Sequence, residues 1–375
     1  MDIGALSRLN LTNFRNFNTK SFIFNKPLIL FYGNNGVGKT NILEAISLIG
    51  KSNSFRKSEF EEIINNNGYN NFVIYSEFIN NDIIQQIAIS FDKNLNKKNT
   101  KINNQDISSS KKNEYKNYLT NFIAITPQIE QLFISGKSAR REYLDKIVCE
   151  LDNQHSTRLN KYHKLIKERI NILQKYKNSN SKISFEKWLD IIETQIVECG
   201  IAIAFARIES LDFFNKAMMT FNSNFPKSLL KVIGDIEQQI SIKPAVEIEN
   251  YYLSMLKQNR QIDMESFKTK FGIHRCDFDA IFCNKNQSAQ LSSTGEQKLI
   301  MIGITLARAK ISATYKNQPT ILIFDEVTSH LDEKRKNDLF CEIRDINLQA
   351  FFSATSISLL PVNFQNNDLI QLIEI

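Results

Sequence analysis

Hydrophobic residues in this 375-residue chain recur with a period that changes from block to block, and each change marks a predicted element. Leu28-Ile29-Leu30-Phe31-Tyr32 is an apolar run of β-formers. It leads through Gly33-Asn34-Asn35-Gly36-Val37-Gly38-Lys39-Thr40 into Ile42, Leu43, Ile46 and Ile49 at helical spacing. The predicted order is strand, loop, helix. Upstream, residues 9–17 alternate apolar and polar as a half-buried strand does, with a break at Asn13. Downstream, 72–78 and 83–91 read as strands. Residues 93–117 are polar and rich in Asn and Lys, predicting an exposed arm that turns as a hairpin near Asn103-Asn104. A short buried strand at 122–126 is stopped by Pro127.

From 140 to 175, Leu144, Ile147, Val148 and Leu151, then Tyr162, Leu165, Ile166 and Ile170, recur at three- and four-residue steps with basic residues between them. The pattern continues over 185–221. Two or three helices of a separate lobe follow from it, and no heptad runs far enough for a long projecting coiled coil. Residues 225–248 are less periodic, with strand-like pieces at 229–233 and 239–242. An apolar helix is predicted over 299–309. The run Ile321-Leu322-Ile323-Phe324 reads as a fully buried parallel strand, and 351–355 as another with hydroxyls at its end.

Composition narrows the class. A 42% hydrophobic share supports a sizeable core, and the length fits two domains or lobes. The net charge of +7 permits an anionic partner such as DNA, although a chain this rich in Asn, Lys and Ile carries lysine throughout. Five scattered cysteines without a C-x-x-C pair argue for reduced thiols, against a disulfide framework and against zinc. The N-terminal residues lack a secretory pattern and no apolar run approaches a membrane span, so a cytoplasmic location and no membrane partner are expected.

Candidate chemistry sits at the ends of two strands. Gly33, Gly36 and Gly38 allow successive backbone N–H groups, from Asn34 through Val37 and onward, to turn inward around phosphate oxygens, and the helix start adds its free donors. Lys39 would supply a point charge to the phosphates and Thr40 a hydroxyl ligand for Mg²⁺. Asp325, at the end of its buried strand, would hold Mg²⁺ opposite Thr40, and Glu326 would activate water. Arg15 is either a second cation over the nucleotide or a solvated arginine. Leu291-Ser292-Ser293-Thr294-Gly295-Glu296-Gln297-Lys298 opens a helix and makes a second anion cradle, with Ser293, Gly295 and Gln297 as its contacts; a plain N-cap is the competing reading. Thr355 would sense the γ-phosphate.

Taken in order, these motifs resemble the RecF family of ABC/SMC-like ATPases over nearly the whole chain. The resemblance rests on Leu11-Thr12-Asn13-Phe14-Arg15-Asn16-Phe17, Gly33 to Thr40, Ser54-Phe55-Arg56, and Arg140-Arg141-x-x-Leu144-Asp145. Tyr162-x-Lys164, Gly272-x-His274-Arg275-x-Asp277, Ser293 to Lys298, and Asp325-Glu326 with Ser329-x-Leu331-Asp332 extend it. It implies an α/β, P-loop ABC-ATPase-like head (a mixed sheet with helices) plus an inserted, mainly helical second lobe. On that basis 1–125 with 315–375 form lobe I, and 126–314 form lobe II with the signature motif. It further implies ATP and Mg²⁺ as cofactors and slow, DNA-dependent ATP hydrolysis. An ATP-dependent homodimer would clamp gapped DNA and work with RecO and RecR to load RecA. The chain departs from the family pattern at Ile273 and Cys276, where Pro and Asp are usual, and at Gln128. A transporter nucleotide-binding subunit, a P-loop kinase or a non-catalytic, nucleotide-regulated DNA-binding module are the alternatives.

Overall fold

The computed structural model describes residues 4–50, 56, 58–80, 83–107, 121–177, 182–240, 242–316, 320–365 and 367–375. In chain order it begins with β1 (Ala5–Phe14), β2 (Phe17–Ile23), β3 (Leu28–Tyr32), α1 (Lys39–Leu48), β4 (Asn71–Asn80) and β5 (Ile83–Asp92). Next come β6 (Lys97–Ile102), β7 (Gln105–Asp106), β8 (Asn121–Ile125), α2 (Lys137–Leu151), α3 (His155–Lys177) and α4 (Lys182–Thr220). Then follow β9 (Ser228–Ile233), α5 (Ala245–Gln258), β10 (Asp277–Phe282), β11 (Gln287–Ser288) and α6 (Thr294–Ile311). The chain closes with β12 (Thr320–Asp325), α7 (Glu333–Ile346), β13 (Gln349–Ala354) and β14 (Ile370–Glu374).

Two compact units form. One comprises Met1–Glu130, Asn222–Phe225 and Met301–Ile375, the other Gln131–Phe221 and Pro226–Ile300. In the first unit the strands sort by direction. A five-stranded sheet, β14-β3-β13-β12-β8, is parallel throughout, and a six-stranded sheet, β2-β1-β4-β5-β6-β7, is antiparallel. Strands buried on both faces read as continuous apolar runs, which is why β3 and β12 carry no alternation. Ile29, Phe31, Ile323 and Phe351 share one buried cluster with Ile42 and Ile46 of α1 and with Leu9, Leu11 and Ile74 of the antiparallel sheet. On the other face Phe352 stacks between Phe324 and Phe340, with centroids 4.9 and 4.5 Å apart. Each such ring contributes roughly 1.5–3 kcal/mol by burial.

Several expectations need correction. The strand does not break at Asn13: it runs to Phe14, because Asn tolerates the left-handed conformation it adopts there (φ 52). Arg15 is also left-handed (φ 53), and with Asn16 it makes the tight turn into β2. Residues 239–242 were expected to be extended, whereas Asp235–Ile240 is a helix. Asp235 and Glu237 in its first turn complement the helix dipole, and Ile236 and Ile240 fall on one buried face. The polar arm does turn at Asn103-Asn104, both at positive φ, between β6 and β7. Residues 108–117 of that arm, with Ser54 and Phe55, lie outside the described residues. No helix among the described residues is long and apolar enough to cross a membrane.

Arg15 does not offer its charge to the loop. Its Nε and Nη2 donate to the two oxygens of Glu44, each at 2.9 Å, and Nη1 donates to the Glu62 carbonyl. Glu44 is wholly buried in α1. A bidentate pair of this kind anchors the helix to the β1–β2 turn.

The second unit packs α3, α4 and α5 around Tyr162, Ile196, Ile203 and Tyr252, beside a small antiparallel sheet, β11-β10-β9. Buried cations tie it together. Arg169 reaches Glu193 at 2.9 Å, Asp263 at 2.7 Å and the Leu256 carbonyl at 2.8 Å. Arg207 holds Asp145 at 2.9 and 3.0 Å and Glu237 at 3.2 Å. Beside it runs a chain of neutral donors. His274 Nε2 donates to the Thr269 carbonyl at 2.9 Å, so Nδ1 accepts from Tyr162 Oη at 2.8 Å, and Tyr162 accepts from Tyr252 at 2.8 Å.

Two predictions follow from this packing. Burial holds His274 down to about 4, from an ordinary 6.5. The unfolded chain therefore takes the proton first. Stability from this group is complete above pH 6.5 and is lost as pH falls toward 4, by at most about 3 kcal/mol. Urea unfolding across that window should show this component in the wild type and not in His274→Gln. Arg15→Ala leaves the Glu44 carboxylate buried without its main partner and should lower unfolding free energy by about 2–3 kcal/mol, read from the urea midpoint.

Candidate active site

The site is built where parallel strands end. Register pairs Tyr32 of β3 with Ala354 of β13, and Ser353 of β13 with Asp325 of β12, so three strand ends meet at one edge of the sheet. Ligand sites of open α/β sheets lie outside the carboxyl ends of their strands. At this edge the loop from Gly33 to Gly38 leaves β3 and enters α1 at Lys39.

Two glycines are required by contact as well as by dihedral. A Cβ on Gly33 (φ +147) would lie 2.7 Å from the Ile375 carbonyl oxygen, and one on Gly38 (φ +111) would strike Asn16 and Phe17 at 2.6–2.8 Å. The β1–β2 turn therefore presses directly on the loop. Asn16 Nδ2 donates to the Val37 carbonyl at 2.9 Å, and Asn16 Oδ1 accepts from Asn41 Nδ2 at 2.9 Å. Arg56 in turn donates to Asn41 Oδ1 at 2.9 Å. Asn34, Asn35 and Gly36 remain exposed.

Lys39 is nearly buried, and its ammonium donates to the carbonyls of Gly33 at 2.7 Å and Asn34 at 2.8 Å. Burial pulls it below the usual lysine range, against the opposite pull of Glu326 and Asp325. Thr40 Oγ1 donates to Asp325 Oδ1 at 3.0 Å, closing a contact between residues 285 apart in sequence. With its proton on the carboxylate, the Thr40 oxygen keeps lone pairs for a cation, so this donor set suits a hard, oxygen-seeking ion such as Mg²⁺. Ser353 Oγ donates to the same Oδ1 at 2.7 Å. Glu326 follows in the left-handed conformation (φ 57) and is exposed, its N–H on Ser353 Oγ at 2.9 Å.

The structure thus brings together Gly33 through Thr40, Asp325 and Glu326. Thr355 lies one residue beyond β13, exposed. Arg15 is engaged by Glu44 instead. Asn16, of the Phe14-Arg15-Asn16-Phe17 motif, and Asn41 enter the site without a role that the sequence assigns them. Ser353 is one of the two hydroxyls expected at the end of 351–355, and it is engaged by Asp325.

In the second unit, Ser293, Thr294 and Gly295 are exposed at the start of α6, and a Cβ on Gly295 would meet nothing within 4 Å. The N–H and hydroxyl of Ser293 donate to Glu296 Oε2 at 2.9 and 3.0 Å, while the Glu296 N–H returns to Ser293 Oγ. This is a reciprocal helix cap. Lys285, together with Ser293, holds the Glu296 carboxyl down to about 2. Gln297 is buried, its amide donating to the carbonyls of Ala289 at 2.8 Å and Ser292 at 3.1 Å, so it braces the loop from behind.

Residues 5–360 match the RecF/RecN/SMC N terminal domain family. The chain is 34% identical over 363 residues to the DNA replication and repair protein RecF of Rickettsia typhi, covering 96% of this chain and 97% of that protein. It is 30% identical to RecF of Mesorhizobium japonicum, covering 94% and 92%. Its fold is similar to a structure of the recombination mediator protein RecF with ATP in the RecFOR pathway, at a TM-score of 0.81 and 24% identity, over 94% of this chain and 92% of that one. An Smc head domain from Pyrococcus furiosus shares the fold at a TM-score of 0.54 and 15% identity, over 96% and 92%. The chain belongs to the RecF family of ABC/SMC-like ATPases.

Proposed function

We propose that this chain is an ATP-dependent, DNA-binding recombination mediator. In this reading ATP drives a homodimer that clamps DNA at single-strand/double-strand gaps and, with RecO and RecR, helps load RecA in repair and replication restart, within the cytoplasm. The observation that carries it is the 3.0 Å contact of Thr40 with Asp325, which joins the end of the glycine-rich loop to the end of β12. The relatives carry the name DNA replication and repair protein, and the RecF structures of like fold hold ATP or an analogue.

Lys39 would exchange the loop carbonyls for the phosphates, Gly33 through Val37 would line them with N–H groups, and Thr40 and Asp325 would hold Mg²⁺. The cation would neutralise charge developing on the phosphoryl group. Glu326 accepts a proton from water, and Thr355 reports the γ-phosphate. Ser293 and Gly295, open at a helix start, arrive from a second copy of the chain, with Gln297 holding their loop. Catalysis of this kind is mostly positioning and electrostatics, so turnover is slow and gated by dimer closure. DNA affinity rests on phosphate contacts and falls with salt.

The test is the solution mass of the Glu326→Gln protein, with and without MgATP and gapped duplex DNA. A shift from monomer to dimer that requires ATP and is strengthened by DNA is expected. A protein that binds ATP yet stays monomeric would remove the trans role of Ser293 and Gly295. Wild-type hydrolysis by Glu326→Gln would remove the general-base role.

A further inference from the structure

We infer that Ser353 is a positioning residue for hydrolysis: its one buried hydroxyl both orients the Asp325 carboxylate and fixes the backbone turn that presents Glu326, coupling cation holding to base placement. The inference rests on the roles of Asp325 and Glu326 proposed above.

Three observations carry it. Ser353 is 1% exposed on β13, the strand between β3 and β12, and register sets it beside Phe31 on one side and Asp325 on the other. Its Oγ lies 2.7 Å from Asp325 Oδ1 and 2.9 Å from the Glu326 nitrogen. Finally, Glu326 is left-handed at φ 57.

The proton arrangement is forced. A carboxylate only accepts and an amide only donates, so the serine proton goes to Asp325 and a serine lone pair receives the Glu326 N–H. Two consecutive residues with different tasks are thereby fixed by one atom. The left-handed turn at Glu326 is a strained conformation for a residue other than glycine. It is held on both sides of the residue, by Ser353 on the N–H and by Ser329 Oγ, which donates to the Glu326 carbonyl at 2.7 Å. Without that turn the chain would continue as extended strand and carry Glu326 along the line of β12.

Asp325 Oδ1 has a second donor, Thr40, but the two differ in kind. Thr40 belongs to the first turn of α1, next to a loop whose lysine must let go of two carbonyls to meet a ligand. Ser353 sits in the sheet interior. It is the tether whose geometry is independent of the state of the loop, and so it is the one suited to keep the carboxylate aimed as nucleotide enters and leaves.

A merely structural hydroxyl would affect stability alone, so the test separates the two. In the full-length chain, Mn²⁺ affinity is measured by its paramagnetic signal with a non-hydrolysable ATP analogue present. Nucleotide affinity in EDTA and steady-state hydrolysis are measured alongside. Ser353→Ala should weaken Mn²⁺ by about tenfold and lower kcat by about tenfold or more, as loss of groups that support a metal ligand does. Its metal-free nucleotide affinity should be unchanged, and Ser353→Thr should restore both losses. Asp325→Asn is the control. If it loses Mn²⁺ while Ser353→Ala binds it as wild type, the role of Ser353 is overturned and that of Asp325 stands. If Asp325→Asn itself binds Mn²⁺ as wild type, the underlying reading fails. Should Ser353→Ala not fold, Ser353→Cys replaces it, and wild-type Mn²⁺ affinity there overturns the inference equally.

Discussion

Parallel pairing is the constraint on which the rest of this structure depends. Parallel strands need a long crossover, so β3 finds its neighbours at the other end of the chain, Leu28 pairing with Ala350 on one side and Ile370 on the other. Because all five strands run the same way, their carboxyl ends share one edge. That edge is where Gly33, Asp325 and Ser353 appear. Their meeting is thus a consequence of strand direction. As long as β12 and β13 return in register, the intervening chain is free to build a second compact unit between β8 and β12.

The charged groups fall into two kinds, distinguished by what holds them. Arg15 with Glu44, Arg169 with Glu193 and Asp263, and Arg207 with Asp145 and Glu237 are ions closed on opposite ions in buried surroundings. Removing one partner of such a pair leaves an uncompensated charge, so these groups are bound to remain where they are. Lys39 and Asp325 are held by carbonyls and hydroxyls instead. A charge held by neutral dipoles keeps its field and can exchange those partners for a ligand of opposite sign. By this criterion Arg15 is fixed to its partner and Lys39 is able to change partners, although both are cations in glycine- or asparagine-rich turns near one strand edge.

That difference explains what could be seen in the residues alone. The strand, loop and helix around Gly33 to Thr40 were legible because three signals agree locally: an apolar run, spaced glycines and helical periodicity. Asp325-Glu326 was legible because two acids end a run that is otherwise wholly apolar. Arg15 was not, since its partner Glu44 is one acid among many and only the fold brings them within 2.9 Å. The partners of Ser353 and Asn16 were illegible for a related reason. Small polar side chains acquire a role from the atoms opposite them, and no period or composition encodes that. At 239–242 the alternation of a short apolar pair was read as strand, where the acidic first turn of Asp235–Ile240 decides for helix.

The departures at Ile273 and Cys276 can be settled in the same terms. Asp145, Arg207, Glu237 and His274 all converge on this loop, and Gly272 cannot carry a Cβ, which would lie 2.4 Å from Tyr252 Oη. Replacing the family's proline by Ile273 gives up a rigid turn, but it supplies an N–H that reaches Tyr252 Oη at 3.4 Å and an apolar side chain that is fully buried. Replacing the acid by Cys276 removes a charge beside Arg207, a cation that already has two carboxylates. The thiol instead accepts weakly from Arg207 Nη1 at 3.3 Å, and burial pushes it up to about 12, so it stays protonated and inert. Both positions fall in the unit that does not contain Lys39 or Asp325.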